Sequence, residues 1–402
     1  MLTTLKNTLF ALLLGLAACG SSTGQPAEAG TPANDPVTGA NQTDAYFPLL
    51  RGKRIALVAN QTSVVFRDGK EPVHLADSLL AAGMDLRRVF APEHGFRGQA
   101  DAGEHVQDGT DIRTGLPIIS LYGANRKPGP EHLEGLDLVV FDIQDLGVRF
   151  YTYIATLQLV MEACAEAGIP VLVLDRPNPN ANFVDGPIME DAHKGFLGMT
   201  PIPLAYGMTL GEYAEMINAE GWLEGGIRAE LTVIPLQNYQ RSIPYELPIP
   251  PSPNIPNTQA AMLYPSLGLF EGTTANAGRG TDHQFQAFGA PYLDPGHFAF
   301  SYTPRPNPGA SHPKHEGVLC HGRDLRNVEP PRAVNLEWLI EAYTHRDPES
   351  EFFLTSGFTR HAGTAELQRQ IENGMQMEEI RSSWQPGLEA FRAIRAKYLR
   401  YP

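Results

Sequence analysis

The sequence predicts an α/β fold: a Rossmann-like parallel β-sheet with helices on both faces, followed by a smaller C-terminal α+β domain. Three observations carry this reading. From about residue 50, short apolar runs alternate with segments of helical periodicity, as repeated βαβ units require. The runs are apolar throughout rather than at every second position, which marks strands buried on both faces. In the second half the alternation fades and Gly, Thr and Pro become frequent.

Arg54–Ala59 is the first predicted strand. His74–Met84 is a helix, with Leu75, Leu79 and Leu80 at helical spacing and a stop at Gly83. Strands follow at Arg88–Ala91, Pro117–Leu121, Leu136–Phe141 and Pro170–Leu174. The helix Tyr151–Ala167 lies before the last of these and closes at Gly168. Beyond them, Met208–Ala219 reads as a helix, with Thr209 as N-cap and Glu212 three residues on. Leu231–Ile234 reads as a strand, and the prolines crowding Ile243–Pro256 impose a rigid, extended loop. Helices at Val334–Tyr343 and Thr364–Asn373, a strand at Phe352–Leu354 and a helix at Met377–Tyr398 interrupted at Pro386 complete the chain. The expected division is a Rossmann-like catalytic domain over 46–200 and a second domain over 201–402 that completes the cleft.

The N-terminus reads as a targeting segment. Lys6 and the apolar run Leu9–Leu14 are too short for a membrane span and fit a signal peptide over 1–18. Leu16-Ala17-Ala18-Cys19 resembles a bacterial lipobox, which implies lipidation of Cys19 and a lipid anchor in the cell envelope, facing the periplasm. Residues 19–45 hold almost no large apolar side chains and read as a flexible tether.

The formal net charge of −14 argues against nucleic acid as a partner, since tracking phosphates takes clustered Lys and Arg. Only Cys164 and Cys320 remain besides Cys19, and no CxxC pair suggests zinc or redox chemistry. No GxGxxG follows the first strand, so no nucleotide is expected. The reading therefore calls for neither cofactor nor metal.

Ligands of open α/β sheets bind beyond the carboxyl ends of the strands. Every predicted strand delivers polar side chains there: Asn60; Glu93 and His94; Tyr122; Asp142, Gln144 and Asp145, with Arg149 and Tyr151 close behind; Asp175 and Arg176. Amides and tyrosines match sugar hydroxyls, paired carboxylates match glycoside hydrolysis, and Arg149, Arg176 or Arg279 suit an acidic substituent. Asp142 and Asp175 are equally readable as braces for Arg149 and Arg176. Glu93 sits between Pro92 and Gly95 with no helix to serve, which favours a chemical role.

Ala91-Pro-Glu-His-Gly-Phe-Arg-Gly98, Phe141–Tyr153, Leu174–Pro179, Pro251–Asn254 and Glu271–Thr281 occur in an order that resembles the NamZ family of exo-β-N-acetylmuramidases. The likeness spans about residues 50 to 402; Asn180-Ala181-Asn182 departs from it where a glycine is expected. It implies release of terminal N-acetylmuramic acid from the non-reducing end of peptidoglycan fragments, with Glu93 as the catalytic glutamate. Glu271 ranks ahead of Asp142 and Asp145 as the second catalytic group. Arg279 or Arg149 would meet the lactyl carboxylate, and Asn60, Gln144 or Tyr151 the acetamido group. His94, Asp175, Arg176, Asn254 and Thr281 complete the expected contacts. Inverting, covalent and substrate-assisted routes all fit. Two rivals stand beside this reading: a non-catalytic peptidoglycan-binding lipoprotein, and a metal-dependent amidase or deacetylase using His94, His105 or His283.

Overall fold

The computed structural model describes residues 35–67, 69–97 and 108–402. The signal peptide, Cys19 and His105 lie outside the described residues. The central sheet has seven strands: β1 (Arg54–Ala59), β2 (Asp85–Ala91), β3 (Gly109–Thr110), β4 (Pro117–Ser120), β5 (Leu138–Asp142), β6 (Val171–Leu174) and β7 (Leu231–Ile234). Their order is β7-β6-β5-β1-β2-β4-β3, parallel except for the short edge strand β3. All five expected first-half strands are present and in this one sheet, so their carboxyl ends share a rim.

Alternate residues of β1 face different cores, as a two-residue side-chain period demands. Ile55, Leu57 and Ala59 pack with Leu75 and Leu79 of α1 (Leu75–Ala81). Ala56 and Val58 belong to the larger core with α2 (Tyr153–Ala167) and α3 (Leu210–Ala219). Helices therefore cover both faces, which explains why the strands carry no polar alternation. Phe90 and Phe141 are fully buried in the larger core, each contributing roughly 1.5–3 kcal/mol. Gly168 ends α2 with φ of 65°, a left-handed conformation that glycine adopts without strain.

β7 pairs with β6 along its whole length, so the parallel sheet takes its edge strand from beyond residue 200. The expected tether also differs. Its last residues are folded: Val37 bridges Gln237, and Gly39 N donates to the Asp175 carbonyl at 2.8 Å. A Cβ on Gly39 would lie 2.6 Å from Asp175 N. Small residues here serve close packing, a role composition alone reads as flexibility.

The second half adds α4 (Thr258–Leu267), α5 (Thr355–Ala362), α6 (Met377–Arg395) and an antiparallel sheet of β8 (Ala287–Ala290), β9 (Phe300–Tyr302) and β10 (Cys320–Asp324), with β10 central. Two expectations change. Phe352–Leu354 makes one bridge, Phe353 to Thr273, rather than a strand. α6 runs unbroken through Pro386, because losing one backbone bond is tolerable in a helix anchored by buried Ile380, Trp384, Leu388 and Phe391. Among the described residues no helix is long and apolar enough to cross a membrane. Cys164 and Cys320 are both free and buried.

Candidate active site

A cleft of about 510 Å³ opens at the carboxyl rim. Glu93 and His94 reach it from the turn after β2, Tyr122 from the end of β4, and Tyr151 and Thr152 from the segment leading into α2. The second half supplies Asn254, Tyr264, Glu271, Arg279, Arg360 and His361. A cleft of this size suits a small saccharide.

The turn that presents Glu93 is tight. Gly95 N donates to Pro92 O at 3.0 Å, and His94 has φ of 68°, costly for a residue with a side chain and frequent at functional sites. Thr152 precedes the first turn of α2, yet its hydroxyl makes no cap. It donates instead to Glu93 Oε2 at 2.9 Å, and Tyr122 also bonds the Glu93 carboxylate. Burial and that carboxylate together push the Tyr122 phenol well above its ordinary value, so Tyr122 stays a neutral donor.

Glu271 stands in the five-residue 3₁₀ turn Gly268–Gly272. Arg279 Nη1 donates to its Oε2 at 2.8 Å. Behind it, the Lys314 ammonium donates to the carbonyls of Phe270, Glu271, Thr273 and Ala275. Burial alone would raise the Glu271 carboxyl, but Arg279, Lys314 and His361 outweigh it and hold it below the usual range. Glu271 is therefore an anion at neutral pH.

The proline-rich loop forms one wall. The Tyr151 hydroxyl donates to Pro251 O at 3.1 Å, Gln61 Nε2 to the same carbonyl at 2.8 Å, and Asn254 Nδ2 to Gly309 O at 2.7 Å.

Of the fourteen residues expected in the site, Glu93, His94, Tyr151, Asn254, Glu271 and Arg279 line the cleft. The others are placed differently. Asp142 and Arg176 form a buried two-bond ion pair, Nε to Oδ1 at 2.6 Å and Nη2 to Oδ2 at 2.9 Å, so neither carries charge into the cleft. Asp175 is buried and accepts from Thr209 Oγ1 at 2.7 Å, Gly211 N at 2.8 Å and Tyr401 Oη at 2.6 Å. Asp145 is buried under the Tyr206 hydroxyl and Gly147 N, and burial raises its carboxyl to about 7. Arg149 is fully buried, and burial pushes it down to about 9. Its guanidinium donates to the carbonyls of Pro187, Ile202, His361 and Ala362, pinning the end of α5 and thus His361. Asn60 Oδ1 accepts from Thr62 N at 2.9 Å. Gln144 Nε2 donates to the Asp145 and Pro177 carbonyls. Thr281 Oγ1 donates to Gly278 O at 2.6 Å and shapes its own turn. These eight build the rim from beneath; polar identity at a strand end does not tell a brace from a ligand.

Cleft residues absent from the expected set include Thr152, Arg126, Lys194, Phe196, Tyr264, Arg360 and His361. Arg126 lies 4.3 Å from the centre of the Phe196 ring. The run His193-Lys-Gly-Phe-Leu197 carries the one available signal: a basic and an aromatic side chain flanking a glycine in a loop. Among the described residues, no group of three or more His, Cys, Asp or Glu could hold a metal ion.

A Rossmann-like sheet whose rim presents one carboxylate held by hydroxyls and another held as an anion, among tyrosines and cations, defines a saccharide-processing α/β enzyme. Residues 55–259 match the model described as exo-beta-N-acetylmuramidase NamZ, N-terminal, and residues 262–401 its C-terminal counterpart; the chain belongs to the NamZ family. It is similar to the peptidoglycan beta-N-acetylmuramidase NamZ of Bacillus subtilis (strain 168), with 37% identity over 423 aligned residues, covering 99% of this chain and 100% of that protein. Two crystal structures of DUF1343 family proteins from Bacteroides fragilis NCTC 9343 share the fold. One has a TM-score of 0.83 at 42% identity, covering 92% of this chain and 99% of its own. The other has 0.76 at 29% identity, covering 91% and 99%.

Proposed function

We propose that the protein is an exo-β-N-acetylmuramidase that releases terminal N-acetylmuramic acid from the non-reducing end of peptidoglycan fragments. The observation that carries this reading is the pairing of Glu93 with Glu271 across one rim cleft in a member of this family. Glu93, steered by Thr152 and Tyr122, protonates the glycosidic oxygen. Glu271, kept ionised by its cations, supplies the negative charge that an oxocarbenium-like transition state needs. The lactyl carboxylate meets Arg126 or Arg360, which form no ion pair among the described residues, whereas Arg279 is engaged by Glu271 and Arg149 by carbonyls.

The test compares a chromogenic N-acetylmuramide with the matching N-acetylglucosaminide. Wild type releases the chromophore from the muramide alone, and Glu93→Gln lowers that rate roughly 10²–10⁴-fold. Equal rates in wild type and variant would remove Glu93 from the chemical step. No release at all from either compound, with wall fragments still bound, would favour a binding lipoprotein.

Leu16–Cys19 further supports a lipid anchor on Cys19 facing the periplasm. Labelled palmitate should enter the wild type and not Cys19→Ser; labelling of both would exclude that site.

A further inference from the structure

A second cleft, of about 660 Å³, is lined by α6 residues, the segment leading into Asp185–Ile188 and the loop at Arg241. Five arginines face it: Arg241, Arg332, Arg381, Arg392 and Arg395. In a chain of net charge −14, this local excess of one sign stands out, because like charges repel unless offset.

Two of the five are offset within the fold. Arg241 pairs with buried Glu212, and Arg381 with Asp185 at 3.0 Å. The other three form no ion pair among the described residues. Arg392 Nη2 donates to Val184 O at 3.1 Å. Arg395 Nε donates to Gly207 O at 3.1 Å, a carbonyl that also accepts from Arg241 Nη1 at 3.3 Å. Arg332 is exposed and forms no ion pair among the described residues. Carbonyls satisfy N–H groups without cancelling charge. Burial, then the nearness of Arg241, pushes Arg395 down to about 10 against an opposing pull from Glu212. Arg381 Nε is buried and meets no acceptor. Asp185 lines the cleft and Glu212 stands behind Arg241, so the five guanidinium groups outnumber the carboxylates that offset them.

We propose that this arginine cleft binds a phosphate-bearing anion, at a site separate from the Glu93 cleft. Guanidinium groups grip phosphate oxygens through paired N–H bonds. A phosphate group carries about −1.5 to −2 charge at pH 7, which suits several unpaired cations better than a single carboxylate does. The cleft volume falls among those of small-ligand sites. This inference does not depend on the hydrolytic reading, since the two clefts share no lining residue.

The test is calorimetric titration of the protein with inorganic pyrophosphate. Arg332→Gln combined with Arg392→Gln is the informative variant, because both side chains are exposed and Arg392 makes only one exposed hydrogen bond, to Val184 O, which Gln can keep. The wild type binds pyrophosphate, more weakly as salt rises, and the double variant binds at least tenfold more weakly while its unfolding midpoint and its rate on the muramide stay unchanged. Displacement of pyrophosphate by phosphatidylglycerol vesicles, but not by phosphatidylcholine vesicles, assigns the site to lipid headgroups. Failure of both to displace it assigns a soluble phosphate compound. No pyrophosphate binding, or equal affinity in the double variant, overturns the proposal.

Discussion

Glu93 and Asp142 each follow a strand of the same sheet, yet one opens into the cleft and the other is sealed under Arg176. The difference lies in what stands nearby. Glu93 emerges on a turn bent by Pro92 and Gly95 and meets the hydroxyls of Thr152 and Tyr122, while Asp142 meets a guanidinium from the segment after the next strand. Sequence order shows neither partner, so Glu93 was legible from its turn and Asp142 was not. The same holds for Arg149, whose four carbonyl partners come from three distant segments. Glu271 depends on its cations in a testable way. Replacing Arg279 by Gln removes the ion pair, so the Glu271 carboxyl rises toward its ordinary value. If catalysis needs Glu271 ionised, the acid limb of the kcat profile moves to higher pH. A pH–rate series on Arg279→Gln that leaves the limb in place would free Glu271 from that role.

Elements with a strong internal pattern were readable. α2 was, because its apolar residues answer to a local period, and the five first-half strands were, because their apolar runs are short and flanked by polar residues. α3 was, because Thr209 and Glu212 form the capping box that its sequence announces. Elements fixed by distant partners were not: no element was expected over the residues of α5, which lie between an expected strand at Phe352–Leu354 and an expected helix at Thr364–Asn373, nor over the antiparallel sheet. β10 shows why. A Cβ on Gly322 would lie 1.7 Å from Phe288 O, so this central strand needs a glycine that propensity counts against it. Thr209 has a second task, since its hydroxyl also donates to Asp175. Thr209→Ala should therefore cost near the upper end for a helix cap, about 2 kcal/mol, measured by urea unfolding. A loss of only a few tenths would show that the Asp175 contact adds nothing.

At the scale of the molecule, the α/β class was legible, and the partition of the chain was less so. β7 and α3 come from the half beyond residue 200, and both pack on β6. A fragment of residues 46–200 would leave β6 as an unpaired apolar edge and strip one face of its helix. Circular dichroism should find that fragment unfolded or aggregated, whereas residues 35–402 show one cooperative melt; a stable, soluble fragment would restore a boundary near 200.

The contact between Tyr401 and Asp175 spans 226 positions of chain. Asp175 stands just past the end of β6, in the middle of the fold, and Tyr401 lies beyond α6. During synthesis the buried Asp175 carboxylate thus waits for a side chain 226 positions further on, with a long loop to close. A chain halted before Tyr401 would hold nearly all of the core residues described above and still lack one of the donors that satisfy a buried carboxylate. The arrival of a distant segment is in this way registered at the centre of the protein rather than at its surface.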